Sequence, residues 1–388
     1  MIDILLYVFT VFLCFAVDSK LKNPTIKKLC IAWIFIFFCF GYMTGSDWRQ
    51  YERDYENDYY EWYTLRLEYG SYYVFKFFKN IGCDFWLFTG LFKILYLLSV
   101  ISLSSYFTDK RWSVVGMYAI VDVFLFIIIE CPFRFMLSLT AINFALLLYM
   151  KRRFVYAFLL LLISITFHSS FIICVVLLLI GLISKNKIQN VNNKILIPAY
   201  IVVYILILGT PLFDFIYSDL VPLLGQTELA NHYNNEDIGN LWSLGNLRMF
   251  VYFILIVLFK SETLAMKRGD LIYPMALMAS FLFPIMKCIP VGQRLLIPLN
   301  IFSVLLFTQI LLNYTINDTR KIVFKTVFII SIMTSIVNIY NSYMYIPYSN
   351  SIPYIINGHK PLGERSIYNI IEYQKRTGKT IVSDGERN

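Results

Sequence analysis

The chain alternates between long apolar stretches and short polar connections. Apolar runs occupy residues 2–17, 29–43, 84–107, 113–129, 135–150, 154–167, 170–183, 195–211, 247–259, 271–286, 295–312 and 324–343. A helix that crosses a membrane needs about 20 predominantly apolar residues, so several runs must include flanking aromatic residues. The pattern predicts an all-α, polytopic integral membrane protein with about 12 transmembrane segments, some of them short or re-entrant.

The connections between the runs alternate in charge. If the runs are crossed in order, one face receives every basic cluster, and by the positive-inside rule that face is cytoplasmic. The clusters comprise Lys20, Lys22, Lys27, Lys28, Lys110, Arg111, Lys151, Arg152, Arg153, Lys185, Lys187, Lys194, Lys260, Lys267, Arg268, Arg320, Lys321 and Lys325. Both termini are therefore predicted to lie outside, and the number of crossings is predicted to be even.

Residues 154–183 decide the orientation of every later run. They lie between two basic clusters and could form one long helix or two short ones. One helix would place Lys185 outside and invert all later connections. We therefore predict two half-length segments that meet at His168-Ser169-Ser170, because short segments are tolerated where they line a protein or water cavity.

The other polar residues fall on the predicted outer face. Loop 44–83 is rich in tyrosine and acidic residues, and loop 212–246 is the second long outer loop. In the first, aromatic residues surround two lysines at 72–79, as in an amphipathic helix that lies in the membrane interface. We predict one transmembrane domain at 1–345 and an extracytoplasmic C-terminal tail at 346–388.

Composition narrows the class of protein. Hydrophobic residues make up 58% of the chain and charged residues only 15%, and the mean hydropathy is +0.63. Soluble domains carry about 25% charged residues. The net charge of +9 is spread in short clusters between apolar runs, which indicates topology, so no nucleic-acid partner is predicted. The cysteines show no CxxC spacing, so we expect neither a disulfide framework nor a metal site.

Two arginines stand where an outer turn enters an apolar run. They are Arg134 and Arg294, and Arg248 is a third candidate. Arginine at such depth is costly unless it is paired or reaches the interface. Its planar, permanently charged fork suits phosphate oxygens, so converging arginines predict a pyrophosphate site. The alternative is that each arginine only anchors its helix in the interface.

A second group of polar residues ends the second apolar run, at Gly45-Ser46-Asp47-Trp48-Arg49-Gln50-Tyr51. Tyr55, Tyr59 and Tyr63 follow Tyr51 at steps of four, and in a helix these tyrosines would share one face. A carboxylate such as Asp47 beside aromatic rings is typical of a sugar-binding cleft. An interfacial aromatic belt would have the same spacing.

His168 is one of three histidines and lies at the predicted break between two half-length segments. Its imidazole is a candidate general base or phosphate ligand, although a lone helical histidine often has only a structural role. The sequence contains no HExxH, GxSxG, P-loop or GxGxxG motif. Soluble hydrolase, kinase and nucleotide-cofactor chemistry are therefore disfavoured, and no cofactor is expected.

The order of these motifs resembles a known family. Gly45-Ser46-Asp47 is followed by Tyr51 and Tyr55, then by Glu68-Tyr69-Gly70, by Arg134 opening a helix, and by Phe167-His168-Ser169-Ser170. This order is similar to that of the EpsG-like branch of the Wzy-type O-antigen and exopolysaccharide polymerases. The resemblance spans roughly residues 40–180, with Arg294 as a later match.

The resemblance implies a membrane glycosyltransferase of the GT-C kind in the bacterial cytoplasmic membrane, with its active face outside. Its substrates would be an undecaprenyl-pyrophosphate-linked glycan donor and acceptor, with no metal and no nucleotide sugar. Arg134 and Arg294 would stabilise the leaving pyrophosphate, and Asp47 or His168 would act on the acceptor hydroxyl. The residues expected to bind substrate are Arg49, Tyr51, Tyr55, Glu68 and Arg248. A chain-length regulator is a further candidate partner.

Two other functions remain open from the sequence. A flippase or other transporter of lipid-linked oligosaccharides would place ionisable groups near the middle of the membrane, where only Lys93 lies well inside a predicted crossing. An O-antigen ligase or membrane acyltransferase would have similar hydropathy, and composition does not separate it from a polymerase. The order of the motifs favours the polymerase.

Overall fold

The structure is a computed structural model that describes residues 2–19, 21–45, 47–121, 128–129, 132–210, 242–287, 292–312 and 318–378. The chain divides into two compact units. The first unit comprises Met1–Ser169 and Ile332–Asn388, and the second comprises Ser170–Ser331.

The first unit begins with eight described α-helices, one 3-10 helix and one short strand. They are α1 (Ile2–Ser19), α2 (Pro24–Cys39), β1 (Gly41–Tyr42), α3 (Trp48–Glu56), a 3-10 helix (Tyr59–Arg66), α4 (Tyr69–Asn80), α5 (Phe85–Phe107), α6 (Arg111–Ile120), α7 (Phe133–Met150) and α8 (Phe154–Phe167). Asn23 and Asp84 stand immediately before α2 and α5. Their side chains accept hydrogen bonds from first-turn backbone N–H groups, so both helix starts are fixed by capping.

The second unit consists of helices among its described residues. They are α9 (Phe171–Gln189), α10 (Asn193–Leu208), α11 (Leu244–Leu258), α12 (Lys260–Leu264), α13 (Gly269–Lys287), a 3-10 helix (Gly292–Leu296), α14 (Ile297–Leu312) and the first part of α15 (Asp318–Tyr340). Tyr200 of α10 stacks on Phe253 of α11 with ring centroids 3.7 Å apart. At Gly181 of α9 a Cβ would lie 2.6 Å from Sδ of Met275, so the glycine permits close packing on α13.

The C-terminal segment returns to the first unit. It contains the end of α15, then β2 (Ser349–Asn350), α16 (Ile352–Asn357) and α17 (Leu362–Thr377). β2 pairs antiparallel with β1, with Gly41 opposite Asn350, and the backbone N–H of Ser351 donates to the carbonyl of Phe40 at 2.7 Å. The tail predicted to begin at 346 is thus joined to the end of α2.

Five described helices are long and apolar enough to cross a membrane. They lie at Phe85–Phe107, Phe133–Met150, Phe171–Gln189, Gly269–Lys287 and Gly292–Leu312. Shorter apolar helices lie at Phe154–Phe167, Asn193–Leu208, Leu244–Leu258 and Phe324–Tyr340. The chain is therefore an all-α membrane protein apart from the two-residue strands, whereas the count of about 12 crossings and the GT-C fold stay predictions.

Among the described residues, each apolar run predicted from the sequence contains a helix or the larger part of one. The predicted break within 154–183 is confirmed, because α8 ends at Phe167 and α9 begins at Phe171. Only α8 is short, whereas α9 has 19 residues and is long enough to cross a membrane. His168 lies between them with an extended backbone, at φ −151° and ψ 113°. The polar residues at the break therefore do separate two helices.

Polar connections gather at the two ends of the first unit. Lys110 Nζ donates to the carbonyl of Asp18 at 2.8 Å, and the Tyr106 hydroxyl donates to the carbonyl of Met150 at 3.0 Å. The basic connections after α1, α5 and α7 therefore lie together, at the end opposite Asp84, which begins α5. Which end faces the cytoplasm stays a prediction.

Most of residues 44–83, predicted as an outer loop, are helical. α3, the 3-10 helix and α4 occupy them, and α4 covers the amphipathic stretch predicted at 72–79. The single tyrosine face predicted from the four-residue spacing is wrong, because α3 ends at Glu56. Tyr59, which follows this break, is exposed while the other three tyrosines are buried. Most of the second predicted outer loop, 212–246, lies outside the described residues.

Candidate functional site

The site is built where α4 meets the end of α8. At Gly70 a Cβ would lie 2.5 Å from Oγ1 of Thr166, so only glycine allows this approach. The hydroxyl of Ser71 donates to the carbonyl of Phe167 at 2.7 Å. These contacts bring Glu68, just before α4, beside His168, just after α8.

Glu68 is the centre of the site, with only 1% of its surface exposed. One carboxylate oxygen, Oε2, accepts from Nη1 of Arg134. The other, Oε1, lies 2.7 Å from Nδ1 of His168 and accepts from the backbone N–H of Ser169 at 3.2 Å. A buried carboxylate requires such partners, so Glu68 ties α7 to the segment after α8.

Arg134 stands in the first turn of α7, and 14% of its side chain is exposed. Its guanidinium carbon lies 4.7 Å from the ring centroid of Tyr63, 5.8 Å from that of Trp62 and 5.9 Å from that of Tyr51. Its Nε is also 3.5 Å from the Tyr51 hydroxyl. Aromatic rings therefore hold the cation by cation–π attraction, while its only carboxylate among the described residues is Glu68.

The environment of Glu68 keeps its carboxylate charged. Burial acts to raise the pKa, but the hydrogen bond from His168, the charge of Arg134 and the N–H of Ser169 outweigh it and lower the pKa below its ordinary value. When a carboxylate accepts a hydrogen bond from Nδ1–H of a neutral imidazole, the lone pair of the ring lies on Nε2. The His168 side chain is 27% exposed, so a polar group from outside has access to it.

The structure brings four of the candidate residues together: Arg134, Glu68, His168 and Tyr51. Asp47 precedes α3 and is half-buried, and Arg49 lies in the first turn with its guanidinium 5.6 Å from the Trp48 ring. Among the described residues, neither forms a hydrogen bond or ion pair with Glu68 or Arg134.

Tyr55, predicted to bind sugar, is part of an aromatic core. Its ring stacks on Phe88 with centroids 5.2 Å apart and contacts Phe75 and Phe85, and its hydroxyl donates to the carbonyl of Cys83 at 2.7 Å. The residue is 1% exposed, so in this structure its ring offers no open face to a sugar.

Arg294 and Arg248 belong to the second unit. Arg294 is in the 3-10 helix Gly292–Leu296, and Arg248 is in α11. Asn246, two residues before Arg248, accepts a hydrogen bond at Oδ1 from Nζ of Lys287. Both arginines are half-buried. The predicted convergence of arginines on one pyrophosphate therefore stays a prediction as far as these two residues are concerned.

Sequence reasoning missed three features of the first unit. The first is Trp62, whose ring lies against Arg134, and the second is Arg66, whose guanidinium carbon lies 4.2 Å from the centroid of the same ring. The spacing of Trp62 and Arg66 was a local signal that could have been read. The third feature, a buried pair between Glu52 and Arg365, joins residues 313 positions apart and had no local signal.

These observations define a class of protein: a helical membrane protein with an ion-paired arginine, glutamate and histidine at one end of a helix bundle. The chain belongs to the EpsG family, whose model matches residues 5–354. That family is associated with polysaccharide polymerases of the glycosyltransferase type. No curated protein and no solved structure matches the chain.

Proposed function

We propose that the protein joins undecaprenyl-pyrophosphate-linked oligosaccharide units into O-antigen or exopolysaccharide on the outer face of the cytoplasmic membrane. The observation that carries the proposal is Arg134, a cation at the end of a membrane-spanning helix with donors that its protein partners do not use. Glu68 and Tyr51 engage Nη1 and Nε, and Nη2 has no acceptor among the described residues. Family membership supports the same reaction class.

Arg134 would stabilise the leaving group. The bond between the donor's anomeric carbon and the pyrophosphate oxygen breaks, and negative charge develops on that oxygen. A guanidinium fork donates two parallel hydrogen bonds to such oxygens, and its charge persists at every physiological pH. The aromatic surface of Tyr63 and Tyr51 excludes water around it, which strengthens the electrostatic interaction.

His168 would act on the acceptor. The acceptor hydroxyl oxygen attacks the anomeric carbon, and its proton passes to Nε2 of His168, while Glu68 holds Nδ1. Glu68 thus links the two halves of the reaction, since one oxygen orients the base and the other orients the cation. Asp47 remains the alternative acceptor of this proton.

A null strain complemented with variants tests the proposal. With Arg134→Ala we expect surface glycan with single-unit caps, normal protein level and no long chains. Arg53→Ala is the matched control, because that arginine is in α3, contacts Gln50 and has no part in the site. Wild-type chain length in Arg134→Ala would refute the proposal. Complete loss of surface glycan would instead indicate the alternative functions, export or ligation.

A further inference from the structure

We propose that Arg66 is the second cation of the diphosphate site, presented together with Arg134 by the indole ring of Trp62. The exposed leucines beside Arg66 would contact the lipid chain of the same ligand. This inference rests on the proposed function, since it names the group that completes its leaving-group site.

Trp62 lies against both guanidinium groups. The guanidinium carbon of Arg66 is 4.2 Å from the ring centroid, and that of Arg134 is 5.8 Å from it. Two arginines therefore share one aromatic ring, and attraction to its π-face offsets part of the repulsion between them. A diphosphate has oxygens on two linked phosphorus atoms, so paired guanidinium groups are suited to it more than to a single phosphate.

Charge balance favours a second cation beside Arg134. The charge of Arg134 is already compensated by Glu68, and a diphosphate carries more than one negative charge. His168 adds no charge in the neutral form that accepts a proton. Arg66 is exposed and forms no ion pair with a carboxylate among the described residues, whereas Arg134, Arg365 and Arg376 each do.

The chain around Arg66 is apolar and strained. Leu65 and Leu67 are 84% and 67% exposed, which suits a lipid chain lying beside a bound headgroup. Leu67 has a left-handed backbone with φ 59°, a conformation that is unfavourable for leucine. Hydrogen bonds from Leu67 N–H to the Thr64 carbonyl (3.1 Å) and from Glu68 N–H to the Tyr63 carbonyl (3.0 Å) maintain it. This turn separates Arg66 from Glu68, so the arginine stays outside the buried ion pair.

Binding of inorganic pyrophosphate to the purified full-length protein in detergent tests the assignment, with calorimetry as the readout and phosphate as the comparison. We expect Arg66→Ala to weaken pyrophosphate binding about 10- to 100-fold and to reduce the preference for pyrophosphate over phosphate. Arg66→Lys should restore binding in part, because an ammonium keeps the charge and loses the fork. Arg53→Ala, whose arginine is exposed in the same region, should bind as wild type.

Farnesyl diphosphate provides a second arm that separates headgroup from lipid. Leu65→Gln should weaken binding of farnesyl diphosphate and leave pyrophosphate binding unchanged. Equal loss for both ligands, or no loss for either, would overturn the lipid contact.

The outcomes also separate this inference from the proposed function. Wild-type binding by Arg66→Ala together with strong loss in Arg134→Ala would overturn the role of Arg66 and leave the function intact. Wild-type binding by both variants would overturn both. An unchanged unfolding temperature in Arg66→Ala shows that any loss reflects the missing cation, and partial rescue by Arg66→Lys is required in addition.

Discussion

Glu68 and Glu52 are buried carboxylates of the first unit that each pair with an arginine, but the two pairs are built differently. Glu68 divides its carboxylate between Arg134 and His168. Glu52 accepts two parallel bonds from Arg365, at 2.8 and 2.9 Å, and a third from the indole N–H of Trp86 at 2.9 Å.

The arginines differ in the same way. Arg365 Nε also donates to the carbonyl of Lys360, so each of its three nitrogens has a protein acceptor, and its guanidinium lies between the rings of Tyr42 and Trp48. Arg134 has an unused nitrogen among the described residues and a partly exposed side chain. In the first arrangement the protein satisfies every nitrogen of the arginine, which suits a structural role. The second arrangement leaves part of the guanidinium available to a ligand. Arg365 also lies beyond the residues that match the family.

The largest expected effect is on the stability of the protein and comes from breaking the pair of Glu52 and Arg365. Arg365→Ala leaves Glu52 buried without its cation, which should destabilise the protein by about 3–5 kcal/mol. Unfolding in detergent, followed by circular dichroism, measures this. The double variant Glu52→Leu, Arg365→Met should regain much of the loss, because an apolar pair leaves no buried charge. A stable Arg365→Ala protein would show that the pair does not hold the C-terminal helix.

The next largest effect is on the rate of polymerisation and comes from breaking the pair of Glu68 and Arg134. Arg134→Ala should slow polymerisation about 100- to 1000-fold, since it removes a donor to the leaving group. Initial rates of glycan elongation in membrane vesicles, normalised to protein amount, provide the measurement. Arg134→Lys should recover only part of the rate. A rate close to that of wild type would mean that this arginine has only a structural role.

A smaller effect on the rate is expected when only Glu68, the carboxylate shared by Arg134 and His168, is changed. Glu68→Gln keeps the shape but loses the charge that orients His168, so we expect a rate about 10- to 100-fold lower with little change in substrate affinity. Glu52→Gln is the matched control, and once folded it should retain the wild-type rate. Equal rates for the two glutamine variants would abolish the distinction between the pairs.

The smallest effect concerns acid stability. The folded-state pKa of Glu68 lies below its ordinary value of 4.5, so its contribution to stability is present above that pH and is lost as the pH falls through the lowered pKa. Wild-type protein should therefore lose stability between pH 7 and pH 3 that Glu68→Gln does not lose. Unfolding midpoints of both proteins at each pH measure the difference, and parallel curves would contradict it.

The apolar pattern alone was sufficient to predict the apolar helices, but not the helices within 44–83. The predicted runs 154–167 and 170–183 meet at His168-Ser169-Ser170, and the structure breaks the helix at that point. The amphipathic stretch at 72–79 likewise lies within α4. These features depend on neighbouring residues and on the cost of placing backbone or charge in lipid, both of which are local properties of the chain.

Only the tertiary structure decided which polar residues meet. Glu68 contacts Arg134 and His168 across 66 and 100 positions, and no local pattern encodes such pairings. Tyr51 and Tyr55 are equivalent by spacing, yet one contacts Arg134 and the other fills an aromatic core. Burial and ion pairing depend on how the helices pack. The sequence therefore determined the helices and the candidate residues, whereas packing determined that Arg134 keeps a donor for a ligand.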